Sequence, residues 1–419
     1  MYNSDRPLTD RQRDELGLAA VADAVAVKIA ALQPAEGLVI GLQSPWGMGK
    51  STFLNFLTEK LDEAPGTIVV RFAPWLVDNR DALLHELFTE MSRCLEPAEK
   101  RNAHRWDVSE YRNRQAIARR LRQFTRAAER MKSLPQAPHL SWFKDLFNLP
   151  VAREVGAVAS FGISTAAAFK PKDETLRELR DDISARLSLL NRKIIVVVDD
   201  VDRLESAEAR EVFRLIKAVA DFPNTIYLVA FDREPLGFDK NYETDIARAF
   251  LDKIVQVPIY LPRPEAVDLR RILAKVLVGE EGRPGVINRP LREQNNPYLR
   301  DSEAKRLAAI LDPLVRTYLN SPRRIGIIHN SLLTAWSSIS DDVDAADYLI
   351  YLCLINFDSA LASWIDAYLA IRASRGGGLR SSAATELRDR LEIILKGQLR
   401  HREDRMTLLR SLLPSMRGY

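Results

Sequence analysis

The chain has 419 residues, of which 46% are hydrophobic, and a formal net charge of +4. This length predicts two or three domains with buried cores, and so mild a charge does not by itself indicate a nucleic-acid partner. Two cysteines, Cys94 and Cys353, are too few for a disulfide framework and match no metal-binding spacing. Together with a polar N-terminal sequence that predicts no signal peptide, they favour a reducing, cytoplasmic compartment.

One apolar run, residues 155–169 (VGAVASFGISTAAAF), is the strongest candidate for a membrane span. It is shorter than the ~20 residues that a transmembrane helix needs, and much of it is weakly apolar Gly, Ser, Thr and Ala. We favour a buried helix or packed loop here over membrane contact, and we expect no membrane insertion.

Apolar residues at helical spacing predict a first helix over residues 10–33. Apolar runs then predict five β-strands, at residues 38–43, 67–73, 193–200, 225–232 and 253–261. Helices are predicted between them, at residues 51–61, 81–95, 207–220 and 244–250. Nearly continuous Val, Ile and Leu indicate strands that are covered on both faces, so the alternation predicts an α/β fold with a mainly parallel sheet.

The interval between the second and third strands is too long for one crossover connection. We therefore predict three units: a core of residues 1–95 and 191–262, a mostly helical insertion at 96–190, and an all-helical domain at 263–419. No strand is expected after residue 262. The last unit is predicted to contain helices at residues 266–278, 302–319, 323–338, 345–374 and 385–399, with a polar loop at 279–298 and a linker at 376–378.

The first predicted strand leads directly into SPWGMGKST, residues 44–52, and then into an amphipathic helix. A glycine-containing turn between a strand and a helix points backbone N–H groups at phosphates, and the helix N-terminus adds partial positive charge. We expect the lysine to contact the β- and γ-phosphates and the serine after it to bind Mg²⁺. The predicted nucleotide-binding residues are Ser44, Pro45, Trp46, Gly47, Met48, Gly49, Lys50, Ser51 and Thr52.

The alternative interpretation of this segment is a glycine-rich turn that contains an incidental lysine. The order strand, turn, helix favours phosphate binding. Ser44 stands where the full Walker A pattern has glycine, and this difference bears on the rate of hydrolysis more than on binding.

A second element, IIVVVDDVDR at residues 194–203, ends an apolar strand in two acids. Asp199 is expected to hold Mg²⁺ through water, while Ser51 binds it directly. Asp200 is the candidate for polarising the attacking water, a catalytic role. An acidic turn at the end of a strand is the alternative, and Arg203 is interpreted as structural rather than as acting on a neighbouring molecule.

These segments resemble the motifs of KAP-type P-loop NTPases. The similar segments, in chain order, are SPWGMGKS for G-x-W-G-x-G-K-[ST], FAPW for F-x-x-W, DDVDR for D-D-x-D-R, AFD, FLDKIVQVPIYLP and NSPRR. The resemblance runs from about residue 16 to residue 330, interrupted by the insertion. It implies a P-loop NTPase sheet of strand order 5-1-4-3-2, and an ATPase with ATP and Mg²⁺ at its site.

The resemblance also implies roles for residues outside the loop. Asp232 is implied to sense the γ-phosphate as a catalytic residue, and Arg323 or Arg324 to reach the nucleotide from the helical domain. The alternative for both arginines is a solvated first turn of a helix. Trp46 and Trp75 are interpreted as core aromatics rather than as residues that stack on a ligand.

Residues 100–132 hold eleven basic and three acidic side chains, a local net charge of +8. With interleaved aromatic residues, such a helix suits phosphate backbones of nucleic acid or an acidic partner protein. The alternative, which we favour, is a solvated charged face opposite a buried face formed by Ile117, Leu121 and Phe124.

The function that we expect is an ATP-dependent switch or assembly component, and the family resemblance implies a role in bacterial anti-phage defence. The alternatives are a nucleotide-binding scaffold with little turnover, and an ATP-dependent protein that handles nucleic acid through the basic stretch. No nuclease, protease or transferase site is recognisable in the sequence. We therefore expect self-association or an effector protein as partner.

Overall fold

The computed structural model describes residues 6–77, 82–96, 108–132, 175–219, 222–233, 251–280, 283–291, 302–374, 382–397 and 401–413. Four features discussed above lie outside the described residues: the apolar run at 155–169, the helix predicted at 244–250, the linker at 376–378 and the beginning of the basic stretch. In the part of the chain that is described, no helix has both the length and the apolar composition needed to cross a bilayer.

A five-stranded sheet lies at the centre of the first part of the chain. Its strands are β1 (Leu38–Gln43), β2 (Thr67–Phe72), β3 (Lys193–Val198), β4 (Thr225–Phe231) and β5 (Val257–Tyr260). They are ordered β2-β3-β4-β1-β5, and every neighbouring pair is parallel. This confirms the predicted order 5-1-4-3-2. Asp199 and Asp232 directly follow β3 and β4, so both lie at the carboxyl edge of the sheet.

Helices cover both faces of this sheet. They are α1 (Leu18–Ala31), α2 (Lys50–Glu63), α3 (Leu83–Leu95), α4 (Val108–Lys132), α5 (Leu176–Ser188) and α6 (Ser206–Val219). Successive strand residues enter different cores, because side chains alternate across a strand. Ile195 and Val197 of β3 pack with α1 and α2, while Ile194 and Val196 pack with α3 to α6. Both faces of the strand therefore need apolar side chains.

Helix α4 carries most of the basic stretch and is part of the core. Ile117, Leu121 and Phe124 are fully buried against the sheet-facing helices, so the predicted apolar face is present. Some of its arginines have acidic partners within the chain: Arg120 pairs with Asp182, and Arg122 with Glu96. Three exposed arginines recur every seven residues and are called the arginine face: Arg112, Arg119 and Arg126. Binding of nucleic acid by this helix stays a prediction.

The rest of the chain is mostly helical and has a core of its own. Its helices are α7 (Ala266–Val278), α8 (Glu303–Thr317), α9 (Pro322–Ile339), α10 (Ala345–Phe357), α11 (Ser359–Ser374), α12 (Ser382–Lys396) and α13 (Arg402–Leu412). Trp336 and Trp364 are among the largest side chains buried in this core. This helical part follows β5 as predicted.

Several sequence-based boundaries were wrong for identifiable physical reasons. The first helix begins at Leu18, because Gly17 before it takes φ 70° and interrupts the helical path. The single helix predicted at 345–374 is two helices divided at Asp358, whose carboxylate accepts the Leu361 N–H and pairs with Arg405. Helix α13 was not predicted. The region expected to lack strands holds a short antiparallel pair, Gly279–Glu280 with Arg283–Pro284.

Candidate nucleotide-binding site

The loop between β1 and α2 turns on two glycines. Gly47 has φ 81° and Gly49 has φ 91°, in the left-handed region that glycine adopts without steric cost. Both are also closely packed: a Cβ on Gly49 would lie 2.9 Å from Leu18 Cδ1, and one on Gly47 would lie 3.2 Å from Arg323 Cβ. Helices α1 and α9, from opposite ends of the sequence, therefore both contact the loop.

The loop is fastened to the end of strand β4. The backbone N–H of Trp46 donates to Asp232 Oδ2 at 2.7 Å, and the N–H of Ser44 donates to Phe231 O at 3.4 Å. The Ser44 hydroxyl contacts the carbonyl of Pro45 at 3.4 Å. Ser44 and Asp232 are both buried. Asp232 thus reaches the predicted loop and holds its backbone; sensing of a γ-phosphate by Asp232 stays a prediction.

Two further residues of the segment lie at its C-terminal half. Met48 is half-buried between the two glycines. Thr52 is buried in the first turn of α2, where its Oγ1 accepts the backbone N–H of Leu8 at 3.0 Å. The Thr52 side chain therefore ties the N-terminal segment to the helix, and nucleotide contact by either residue stays a prediction.

Lys50 is the first residue of α2 and is only 7% exposed. Its Nζ donates to the carbonyl of Ser44 at 2.9 Å and lies 2.8 Å from Asp202 Oδ2. The second contact is an ion pair without an aligned hydrogen bond, since Asp202 Oδ2 has no hydrogen-bond donor in acceptable geometry. Sequence reasoning gave Asp202 no role. The sequence feature that could have identified Asp202 is its position as the third acid of DDVDR.

The Ser51 hydroxyl lies close enough to the Asp199 carboxylate to lower its pKa, so the two residues predicted to bind Mg²⁺ are neighbours. Burial and then the charge of Asp200 raise the pKa of the Asp199 carboxyl, so a cation placed here would stabilise its charged form. The described residues contain no group of three or more His, Cys, Asp or Glu arranged to hold a metal. Mg²⁺ at phosphate sites uses only one or two protein carboxylates, so a hydroxyl beside one half-buried carboxylate fits it.

Asp200 has φ 59°, which is uncommon for a residue with a side chain. Its Oδ1 lies 2.9 Å from Arg203 Nε, and the guanidinium of Arg203 lies 5.0 Å from the centre of the Trp75 ring. Arg203 therefore has partners within its own chain. The interpretation of Trp75 as a core aromatic was wrong: it is 42% exposed at the carboxyl edge of the sheet, and the arginine contacts its face.

The same correction applies to Trp46, which is 60% exposed. The guanidinium of Arg323 stacks on it, 3.9 Å from the ring centre. Arg324 lies elsewhere: it donates to the carbonyl of Tyr318 at 3.0 Å and lies 4.9 Å from the centre of the Phe357 ring. Burial lowers the pKa of Arg324. The structure thus brings Arg323 to the loop and places Arg324 against the helical part.

Comparison with curated proteins identifies a relative in Escherichia coli K12, the phage T7 exclusion protein. It is 27% identical over 434 residues, which cover 99% of this chain and 54% of the relative. The chain therefore spans about half the length of that protein.

Solved structures with a similar arrangement include the ORC2 protein of Aeropyrum pernix in its ADP form. That structure is 11% identical, with a TM-score of 0.39, over 98% of this chain and 88% of the other. The ORC1 protein of the same organism in complex with DNA is 11% identical, with a TM-score of 0.32, over 93% and 85% of the two chains.

The family comparison covers the sheet, the loop and the beginning of the helical part. The model of the KAP family P-loop domain matches residues 18–335, which is most of the chain and includes the glycine loop, DDVDR and the NSPRR segment. The five-stranded parallel sheet places these segments around one edge. The chain belongs to the KAP family of P-loop NTPases.

Proposed function

We propose that this protein binds ATP with Mg²⁺ at the loop of residues 44–52, hydrolyses it, and acts as a nucleotide-dependent switch. One observation carries the proposal. At the carboxyl edge of the sheet, the buried Lys50, the neighbouring Ser51 and Asp199, and the loop held by Asp232 lie together. Ligands of open α/β sheets bind at this edge.

Phosphate binding follows from the loop and the helix behind it. The left-handed glycines let successive backbone N–H groups face one side, and α2 adds the partial positive charge of its N-terminus. Lys50 lies in the first turn of α2, and its ammonium donates to the Ser44 carbonyl. A phosphate bound by the loop would therefore lie close to this positive charge. The loop supplies the geometry, and Lys50 supplies the charge.

Ser51 and Asp199 are the residues that would hold Mg²⁺ in this proposal. When bound, the ion would neutralise negative charge that develops during phosphoryl transfer. The Ser51 hydroxyl and the Asp199 carboxylate would be its protein ligands. Burial and the charge of Asp200 raise the pKa of Asp199, so the charged carboxylate is disfavoured when no cation is near. A cation at this position would stabilise it.

Hydrolysis needs a group that orients the attacking water, and Asp200 is our candidate. Its carboxylate follows the strand directly, next to Asp199, and is kept in place by Arg203 at 2.9 Å. Arg203 is in turn packed on Trp75. A carboxylate held by a second group has a defined direction, which general-base catalysis requires.

The switch is supported by the contact between the loop and α9. Arg323 stacks on Trp46, and the Ser321 hydroxyl lies 3.3 Å from where a Cβ of Gly47 would be. A nucleotide that fixes the loop in one conformation would favour one position of α9. A ligand shifts such an equilibrium only through contacts that differ between the two states, and in this proposal the contacts of Arg323 and Ser321 with the loop would be the ones that differ.

The name of the E. coli relative supports anti-phage defence as the setting of this switch. Because this chain spans about half of that protein, we propose only that the ATPase part is shared. A partner that reads the nucleotide state, either a second copy or an effector protein, would complete the system.

Purified protein tests the proposal directly. Isothermal titration with MgATP and phosphate-release assays should show binding and turnover in the wild type. Lys50→Ala should lose measurable binding, because it removes the charge that meets the phosphates. The matched control is Lys60→Ala on the same helix, whose exposed ammonium pairs with Glu63, and it should behave as wild type.

Asp200→Asn separates binding from hydrolysis. It should bind MgATP as the wild type does, and its hydrolysis rate should fall by ~10²-fold or more, as expected for loss of a positioned base. The proposal fails if the wild type does not bind ATP, or if Lys50→Ala binds equally well. Normal turnover in Asp200→Asn would mean that another residue orients the attacking water.

A further inference from the structure

The three acids of DDVDR have three different partners. Asp199 faces the Ser51 hydroxyl, and Asp200 faces Arg203. Asp202 alone faces Lys50, the residue that we expect to meet the phosphates. Asp202 is therefore the acid of the motif that neither metal binding nor the orientation of water explains, and its partner is the lysine of the loop.

We infer that Asp202 is a built-in competitor of phosphate for Lys50, and that it sets how tightly the loop binds nucleotides. The inference rests on the proposed nucleotide binding and adds a residue that controls it. The ligands concerned are nucleoside diphosphates and triphosphates, which present anionic oxygens to the lysine.

Burial is the first argument. Lys50 is 7% exposed and the Asp202 side chain is 3% exposed, so neither charge is well solvated, and each needs an opposite charge close by. An anion that approaches Lys50 meets a cation that Asp202 already neutralises. Phosphate must therefore displace the carboxylate or share the ammonium with it.

The geometry of the pair is the second argument. An ammonium group has three N–H donors, and Lys50 directs one to the Ser44 carbonyl at 2.9 Å. Asp202 Oδ2 lies 2.8 Å away but accepts no aligned hydrogen bond. The contact between Lys50 and Asp202 Oδ2 is thus an ion pair without a hydrogen bond of acceptable geometry. A phosphate oxygen that approaches Lys50 along one of its N–H directions would accept the hydrogen bond that Asp202 Oδ2 does not accept.

Asp202 also lies in the short 3-10 turn of residues 201–203, whose N-cap is Asp200. The residues proposed for orienting water and for restraining Lys50 thus belong to one turn, which begins directly after Asp199. A shift of this turn on nucleotide binding would loosen the Lys50 pair and alter the Asp200 position together.

The test compares Asp202→Asn with wild type in titrations with ADP in the presence of EDTA. Without metal, a difference in affinity cannot arise from altered Mg²⁺ binding at Asp199. If Asp202 holds Lys50 roughly nine-tenths of the time, the variant should bind ADP about tenfold more tightly. The matched control is Asp62→Asn, which removes one carboxylate from an exposed pair with Arg71 and should leave the affinity within about twofold.

Thermal melting provides a second measurement on the same proteins. Asp202→Asn should melt at a lower temperature than wild type without ADP, because Lys50 loses its buried partner, and it should show the larger increase on adding ADP. If Asp202→Asn does not fold, Asp202→Ser is measured in the same way.

The outcomes separate the two proposals. If wild type binds ADP and the Asp202 variants bind it equally or less tightly, Asp202 only supports Lys50, and the inference is wrong while the proposed function stands. If wild type binds neither ADP in EDTA nor MgATP, nucleotide binding itself is refuted, and the inference is refuted with it.

Discussion

Replacing Asp232 with alanine would remove the carboxylate that accepts the Trp46 N–H at 2.7 Å. Asp232 is only 8% exposed, so water does not readily take its place. A hydrogen bond to a charged group contributes about 1.5–3 kcal/mol, which corresponds to roughly 10- to 150-fold in an equilibrium constant. We expect Asp232→Ala to weaken ADP binding by at least about tenfold, because the binding-competent loop is then less populated.

ADP is the informative ligand because it has no γ-phosphate. If Asp232 braces the loop, affinity for ADP and for ATP should fall together in titrations of Asp232→Ala. Asp232→Asn keeps a carbonyl oxygen that can accept the Trp46 N–H, so its loss should be much smaller. Asp252→Ala is the matched control, since its carboxylate is 69% exposed and lies 3.7 Å from Arg233.

The result that refutes this reasoning is unchanged ADP affinity in Asp232→Ala. If ATP binding or hydrolysis alone is then impaired, Asp232 senses the γ-phosphate, as the family resemblance implied, and the hydrogen bond to Trp46 has no energetic role in binding.

Three further predictions follow from the contacts described above. A double-mutant cycle of Trp46→Ala and Arg323→Ala should give a coupling of about 0.5–1 kcal/mol in ATP affinity, whereas additive effects would exclude communication through this stack. Reversing the arginine face to glutamate should leave both ATP hydrolysis and gel-shift behaviour with duplex DNA unchanged; weakened DNA binding would instead support the nucleic-acid alternative. Arg405→Met should destabilise the helical part by about 3–5 kcal/mol in urea denaturation, because it leaves the buried Asp358 without its cation. The control is Arg316→Met, which removes an exposed arginine from its pair with Asp404 and should destabilise the protein far less.

The sequence was sufficient for the sheet because its strands have clear local patterns. Strands β3 and β4 are apolar on both faces, which predicted their helical cover and their parallel arrangement. Lys50, Ser51 and Asp199 were predicted from two motifs and their positions after strands, and their roles stay predictions. The resemblance of six motifs to the KAP family then predicted the order of the strands across the sheet, including the position of β1 between β4 and β5.

Contacts between distant segments could not be predicted in this way. Trp46 and Trp75 are apolar enough to suggest a core, yet each lies at the surface, where an arginine from another segment packs on one face of its ring. Nothing in NSPRR distinguishes the two arginines, and only the packing of α9 directs Arg323 to the loop. The break at Asp358 likewise depends on a residue 47 positions away in the sequence.

The conformation of the loop is therefore not a property of its own sequence alone. Leu18 packs against Gly49, Asp232 holds the Trp46 backbone, and Arg323 covers the Trp46 ring. These contacts come from α1, from the end of β4 and from α9, three parts of the chain that meet only in the folded protein. A bound phosphate would contact the same short segment as these residues. A change in their contacts with the loop would therefore alter the free energy of phosphate binding, and phosphate binding would alter those contacts. In the switch that we propose, the residues around the loop, rather than Asp199 and Asp200, would therefore carry the nucleotide state to the helical part.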